Sequence, residues 1–277
     1  MLLLCGDTFI TRLPDPVLQQ IENFSDPTYG VNDAFKPVTR YWDRITHPAQ
    51  VLQTLPAAIA TMLDPADCGP AFIALPQDVQ GWTFDYPKSF FDRRMHQVRR
   101  QSPDIEEISS AAELLMSAKR PIIIAGGGVQ YSGAVSELTN FAKIHNIPIV
   151  ETIAGRANLL DSDPLNIGPI GVTGSNSANT IANKADLIIA VGTRLQDFTT
   201  GSWTVFSMDS KFISINAARH DATKHLSLPI VGDAKLALTT LSKACSGFKA
   251  SYEWMSFAQD ERRTVSYTHL TLPTMDS

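Results

Sequence analysis

Long apolar runs are missing from this chain. No stretch approaches the roughly 18 residues of a membrane span, and Met1-Leu2-Leu3-Leu4 lacks the basic flank of a signal peptide and is cut off by Gly6-Asp7. No membrane partner is therefore expected. Cysteine is scarce: Cys5, Cys68 and Cys245 lie far apart and form neither a CxxC pair nor a disulfide framework, so a reducing cytoplasm is the expected compartment. A block of one-signed charge is lacking too. The 23 basic and 28 acidic side chains leave a net charge of -5 spread along the sequence, which gives no nucleic-acid surface. There is no GxSxG elbow, and no histidine pattern accompanies the cysteines. Asp161, Asp163, His220, Asp221 and His225 are the only clusters resembling metal ligands, and no second set at zinc spacing joins them. These absences leave no self-contained catalytic constellation and no expected metal site.

What is present is an ordinary globular composition, 44% hydrophobic and 18% charged, over 277 residues. That length holds two domains or one large one. Strands are expected at Leu2–Leu4, Ala71–Leu75, Ile122–Ala125, Ile147–Val150, Leu187–Val191, Phe212–Ile215 and Pro229–Val231. Their continuous apolar runs suit parallel strands covered on both faces. Helices are expected at Pro16–Glu22, Ala49–Met62, Ile105–Ala118, Gly133–His145, Ser177–Asn183 and Asp233–Cys245. The alternation predicts an α/β fold with a doubly wound parallel sheet. Gly81–Gln101 turns aromatic and then basic without a clear period, as a linker does. The apolar opening reads like the last strand of a unit whose beginning is missing.

Three features stand out. Asp186 to Gly192 is a buried strand whose end presents Thr193, Arg194, Gln196 and Asp197, where open α/β sheets build sites. Gly126-Gly127-Gly128 lies between a strand and a helix, where amides can cradle a phosphate. It departs from the dinucleotide fingerprint, because a GxGxxG register from Gly126 meets Tyr131. Glu151 ends the next strand like the acid that binds a ribose in NAD enzymes. Tight strand-to-helix packing is the stronger account of the glycines.

Taken together, Val38-Thr39-Arg40-Tyr41-Trp42 with Gly69–Val79, Ala118–Gly128, and Ala185–Arg194 with Ile215-Asn216 and Val231–Lys235 resemble the thiamine-diphosphate enzyme superfamily, from about residue 2 to residue 263. The resemblance implies the C-terminal part of a pyrimidine-binding domain over 1–97, a linker over 98–103 and a complete Rossmann-like middle domain over 104–246. Residues 247–263 would start a linker to a diphosphate-binding domain, and 264–277 would be a tail foreign to the family. Arg194–Trp203 departs from the Arg-Phe-Asp-Asp type expected of acetolactate synthases. With Gly171–Ser175, Gly6-Asp7-Thr8 and Pro14–Gln20, it is similar to the branch that hydrolyses a cyclic 1,2-dione in myo-inositol breakdown.

That branch implies thiamine diphosphate as electron sink, Mg²⁺, carbon–carbon cleavage to 5-deoxy-glucuronate, a homodimer or homotetramer, and no flavin. Asn32 and Asp33 fall where relatives present side chains to cofactor and substrate. Gly126, Gly127, Gly128, Thr152 and Arg194 match positions that bind a flavin or adenine nucleotide in some relatives. The family's activating glutamate and its Gly-Asp-Gly…Asn metal motif have no counterpart, so the chain is expected to be an internal fragment, inactive alone and without catalytic residues of its own. Alternatives are an acetolactate-synthase-type enzyme, an NAD-binding Rossmann module, and a non-catalytic nucleotide-binding or assembly module.

Overall fold

Ala71-Phe72-Ile73-Ala74 is buried throughout because it is a central strand. In the computed structural model, which describes residues 1–11, 25–26 and 29–268 (side chains to 264), the chain divides into two units, 1–99 and 100–277. The first contains β1 (Leu2–Asp7), β2 (Tyr41–Arg44), α1 (Val51–Leu63) and β3 (Ala71–Pro76). Its parallel sheet has the order β1-β3-β2, so β3 is flanked on both sides and the other two strands are edges. A short 3-10 turn, Pro48–Gln50, leads into α1, with His47 Nδ1 accepting the Ala49 N–H at 3.2 Å. The core is small, formed by Ile45, Ala58, Ala71, Ile73 and Val79.

The second unit runs α2 (Ile105–Ser117), β4 (Pro121–Ala125), α3 (Gly127–Ser132), α4 (Val135–His145), β5 (Ile149–Glu151), β6 (Asn166–Pro169), α5 (Asn176–Lys184), β7 (Leu187–Val191), α6 (Asp197–Thr200), β8 (Lys211–Asn216), α7 (Arg219–Ala222), β9 (Leu228–Val231), α8 (Ala234–Ala244) and α9 (Tyr252–Thr268). Six parallel strands take the order β6-β5-β4-β7-β8-β9. This is the doubly wound pattern, in which the winding direction reverses between β4 and β7. Both of those strands are buried along their whole length, with Ile122 opposite Ile188 and Ile123 opposite Ile189. Asp104 caps α2 by accepting the Glu106 N–H at 2.8 Å, as the Ser-Pro-Asp entry suggests.

The structure departs from the sequence expectations at identifiable places. The helix expected over Gly133–His145 is α4, and an unexpected short helix, α3, precedes it; Gly133 takes a left-handed conformation (φ 61°) that ends α3. The glycine triplet is only partly a turn, since Gly127 and Gly128 already belong to α3. Strands β2 and β6 were not expected, and 3-10 turns at Val79–Gly81 and Lys88–Phe91 interrupt the aromatic segment. Residues 252–268 form one helix, so α9 runs on into the stretch read as a tail foreign to the family. Trp254, Met255 and Ala258 join the same buried cluster as Ile122, and Trp254 Nε1 donates to the Pro121 carbonyl at 2.9 Å. The core therefore extends past residue 246. The expected helix Pro16–Glu22, the Pro14–Gln20 stretch and residues 269–277 lie outside the described residues.

Candidate functional site

Parallel strands deliver side chains to a common edge at their carboxyl ends. In the first unit β1 ends on Asp7 and β2 on Arg44. Arg44 Nε meets Asp7 Oδ2 at 2.5 Å, and its Nη2 meets Asp33 Oδ2 at 2.9 Å. Lys36 Nζ reaches the other Asp33 oxygen at 2.6 Å. Burial pushes the Asp33 carboxyl up, but hydrogen bonds from Lys36, Arg44 and the Gly30 amide together hold it below its ordinary value. Burial acts against the charged Arg44 as well; its bonds to Asp7 and Asp33 outweigh it and raise the guanidinium pKa.

Asn32 is equally committed. Its Nδ2 donates to the Gly6 carbonyl at 2.7 Å, and its backbone carbonyl accepts from Trp42 Nε1 at 2.9 Å. With 6% and 3% exposure, Asn32 and Asp33 turn inward, toward the ends of β1 and β2.

The second unit brings most of the remaining expected residues to the crevice between β4 and β7. Gly126 N–H donates to the Val191 carbonyl at 2.8 Å, and Gly128 N–H to the Gly192 carbonyl at 2.9 Å. A Cβ on Gly128 would lie 2.6 Å from Gly192 Cα, so the two backbones touch. Gly127 packs on Ala154. Thr152 N–H donates to the Ala125 carbonyl at 3.0 Å, while its hydroxyl accepts from Gly155 N–H at 3.1 Å. The amides of Gly126 and Gly128 are thus spent on the neighbouring strand end and are not directed at a ligand.

Arg194 stands apart, with an exposed side chain that has no hydrogen-bond or ion-pair partner among the described residues. Glu151 does not play the ribose-binding part either. Its carboxylate is buried and accepts the Leu159 N–H at 2.9 Å, closing the loop after β5. Burial raises its pKa, against the hydrogen bond from Leu159. Asn158 bridges the same loops, donating to the carbonyls of Gly126 (3.2 Å) and Gly155 (2.8 Å).

Residues 108–241, which include the whole sheet of the second unit, match the family described as thiamine pyrophosphate enzyme, central domain. By that match the second unit is similar to a thiamine pyrophosphate enzyme central domain. Across both units the chain is similar to proteins named 3D-(3,5/4)-trihydroxycyclohexane-1,2-dione hydrolase. It is 46% identical over 252 residues to that of Geobacillus thermodenitrificans, which covers 91% of this chain and 39% of the relative. The Bacillus subtilis protein is 46% identical over 253 residues (91% and 40%), and that of Clostridium perfringens 47% over 256 residues (91% and 40%). The chain thus spans about two fifths of the length of these curated relatives.

A central domain of this family implies thiamine diphosphate elsewhere in the enzyme. The residues described here do not fit a diphosphate and its cation. The sequence has Gly-Asp at Gly6-Asp7 and Gly232-Asp233, each followed by a residue other than glycine. Asp7 is enclosed by Arg44. Asp233 is held by Arg100 at 2.6 Å and caps α8 through the Lys235 N–H at 3.1 Å. Both carboxylates are neutralised by cations of the chain itself, and no reaction step is assigned to them through the cofactor. No described helix is long and apolar enough to cross a membrane.

The Asp7–Arg44–Asp33 network was not foreseen from the sequence. Its one advance signal is a carboxylate at the end of an apolar strand, a place where charge needs a partner.

Proposed function

We propose that these residues serve the hydrolysis of a cyclic trihydroxy 1,2-dione, as two units of a thiamine-diphosphate- and Mg²⁺-dependent enzyme that opens the ring by carbon–carbon cleavage to 5-deoxy-glucuronate. The observation that carries this reading is the similarity to the dione hydrolases, which spans 91% of the chain and so reaches into both units rather than the central domain alone. The chain's own part is architectural. Arg44 rigidifies the strand ends of the first unit, and Asn32 and Asp33 shape that edge by fixing Gly6 and Arg44. Gly126, Gly127, Gly128 and Thr152 form a packing joint in the central domain in which no flavin or nucleotide is held. Arg194 is the one member of the set left free to meet a ligand or a neighbouring surface.

An exchange experiment tests this reading. The matching residues of the Bacillus subtilis relative are replaced by residues 2–263 of this chain, and turnover of the dione is measured with thiamine diphosphate and Mg²⁺. Retained dione hydrolysis is the expected outcome, with no acetolactate formed from pyruvate. A folded chimera that makes acetolactate, or that ignores the dione, would refute the assignment. The 277-residue chain by itself is expected to show no turnover.

A further inference from the structure

At the opposite end of the central domain's sheet, where β8 and β9 begin, lies a cavity of about 410 Å³ that none of the preceding roles uses. Its wall is aromatic. Phe206 and Phe212 meet edge to face at 5.2 Å, and Trp203 lies 5.6 Å from the first ring and 5.5 Å from the second. The His225 imidazole closes on Trp203 at 3.9 Å. Burial, with like charge from Lys224, lowers the His225 pKa, so the uncharged ring makes this contact near neutral pH. Met208 and Leu226 form a rim that is fully exposed. Lys211 is the lining residue that carries a fixed charge, and no aspartate or glutamate lines the cavity.

The backbone around this wall is held in an unusual state. Ser202 (φ 52°), Trp203 (φ 67°), His225 (φ 58°) and Leu226 (φ 59°) all adopt the left-handed region, four of the seven non-glycine residues that do so among those described. Residues that resist this conformation persist in it where the surroundings over-determine it, and such positions gather at binding sites. Trp203 also closes the Arg194–Trp203 stretch that distinguishes this chain within its superfamily, and the central-domain joint makes no use of it.

We propose that this cavity is a binding site for a small, flat, largely apolar carboxylate. The rings of Trp203, Phe206 and Phe212 would enclose its hydrocarbon face, and Lys211 would pair with its carboxylate. The volume falls within the usual range for small-molecule sites, roughly 300–1,000 Å³, and apolar walls with one or two oriented polar groups are their common composition. A charge without a carboxylate beside it supplies the sign of the ligand.

The probe is 2-naphthoate, titrated calorimetrically into the full 277-residue chain at low ionic strength, with 2-naphthamide as the neutral counterpart. Saturable one-site binding of the acid is expected, millimolar or tighter, with the amide about fivefold weaker, as loss of one ion pair predicts. Lys211→Ala should weaken the acid about fivefold and leave the amide unchanged. Leu226→Asp keeps a residue that tolerates the left-handed conformation and sets a negative charge on the rim, so it should weaken the acid at least tenfold. Thermal melts establish that both variants are folded. The proposal is overturned by an absence of saturable binding up to about 10 mM, well above the Kd of a ligand this size, by equal binding of acid and amide, or by wild-type binding in Leu226→Asp.

Discussion

Arg44 holds two carboxylates whose side chains are almost wholly enclosed, and that sets the cost of losing it. Removing one partner of a buried ion pair leaves charge without compensation, at about 3–5 kcal/mol. Arg44→Ala is therefore expected to lower the unfolding free energy of the first unit by that order, read in a urea titration, and Arg44→Lys to recover only part, because an ammonium cannot span Asp7 and Asp33 as the guanidinium fork does. Glu151 gives the opposite sign. Its folded pKa lies above the ordinary 4.5. Below that value the carboxyl is protonated in both folded and unfolded chains and contributes nothing. As pH rises through the folded pKa, the unfolded state ionises more readily and stability falls. Glu151→Gln keeps an acceptor for Leu159 and is expected to raise Tm at pH 7–8, with the gain vanishing near pH 4. A melt series that shows the same gain at both ends would refute the role of ionisation. Neither network was legible in the sequence: Asp7, Asp33 and Arg44 are 26 and 11 positions apart and meet only because β1 and β2 flank β3.

At the scale of elements, every inner strand was read from the sequence, and so were the edge strands β1 and β9, which also carry apolar runs. Ala71–Leu75 and Leu187–Val191 are continuous apolar runs, and each proved to be an inner strand. The strands β2 and β6 escaped because they are sheet edges whose Tyr-Trp-Asp-Arg and Asn-Ile-Gly-Pro sequences carry neither alternation nor an apolar run. Helix α9 was not legible as part of the domain, since its partners, α5 and β6, are remote in sequence. Its anchorage is specific: Trp254 is buried, and Arg262 donates to the backbone carbonyls of Asp161, Asp163 and Asn166. Trp254→Ala is expected to cost about 3–5 kcal/mol, read as a fall in Tm of the central domain. An unchanged Tm would mean that α9 is a bystander.

On the scale of the whole molecule, the two units differ in how much apolar surface each encloses. The central domain has six strands with helices around them, whereas the first unit has three strands, two of them edges, around a handful of buried side chains. Local stability follows enclosed apolar contact. Amide exchange is expected to be faster in Ala71–Pro76 than in Pro121–Ala125 or Leu187–Val191, and limited proteolysis to cut the first unit first. Slower exchange in the first unit would refute this ranking. The doubly wound class was readable from the alternation of strands and helices. The place where the winding reverses was not, because strand order depends on which side each crossover takes, and periodicity does not encode that.

The contact between Gly128 and Gly192 has a consequence for how this protein can vary. When two side chains collide, one can shrink to make room for growth in the other, so a pair of positions can drift together. Here each partner is already the smallest residue, and the atoms in contact belong to the main chain. Neither position can offset a change at the other. A larger residue at either one could be absorbed only by moving β7 relative to the start of α3, and Val191 and Gly192 are also bonded to Gly126 and Ile215. The central pair of strands is thus locked in a spacing that sequence change has almost no freedom to renegotiate.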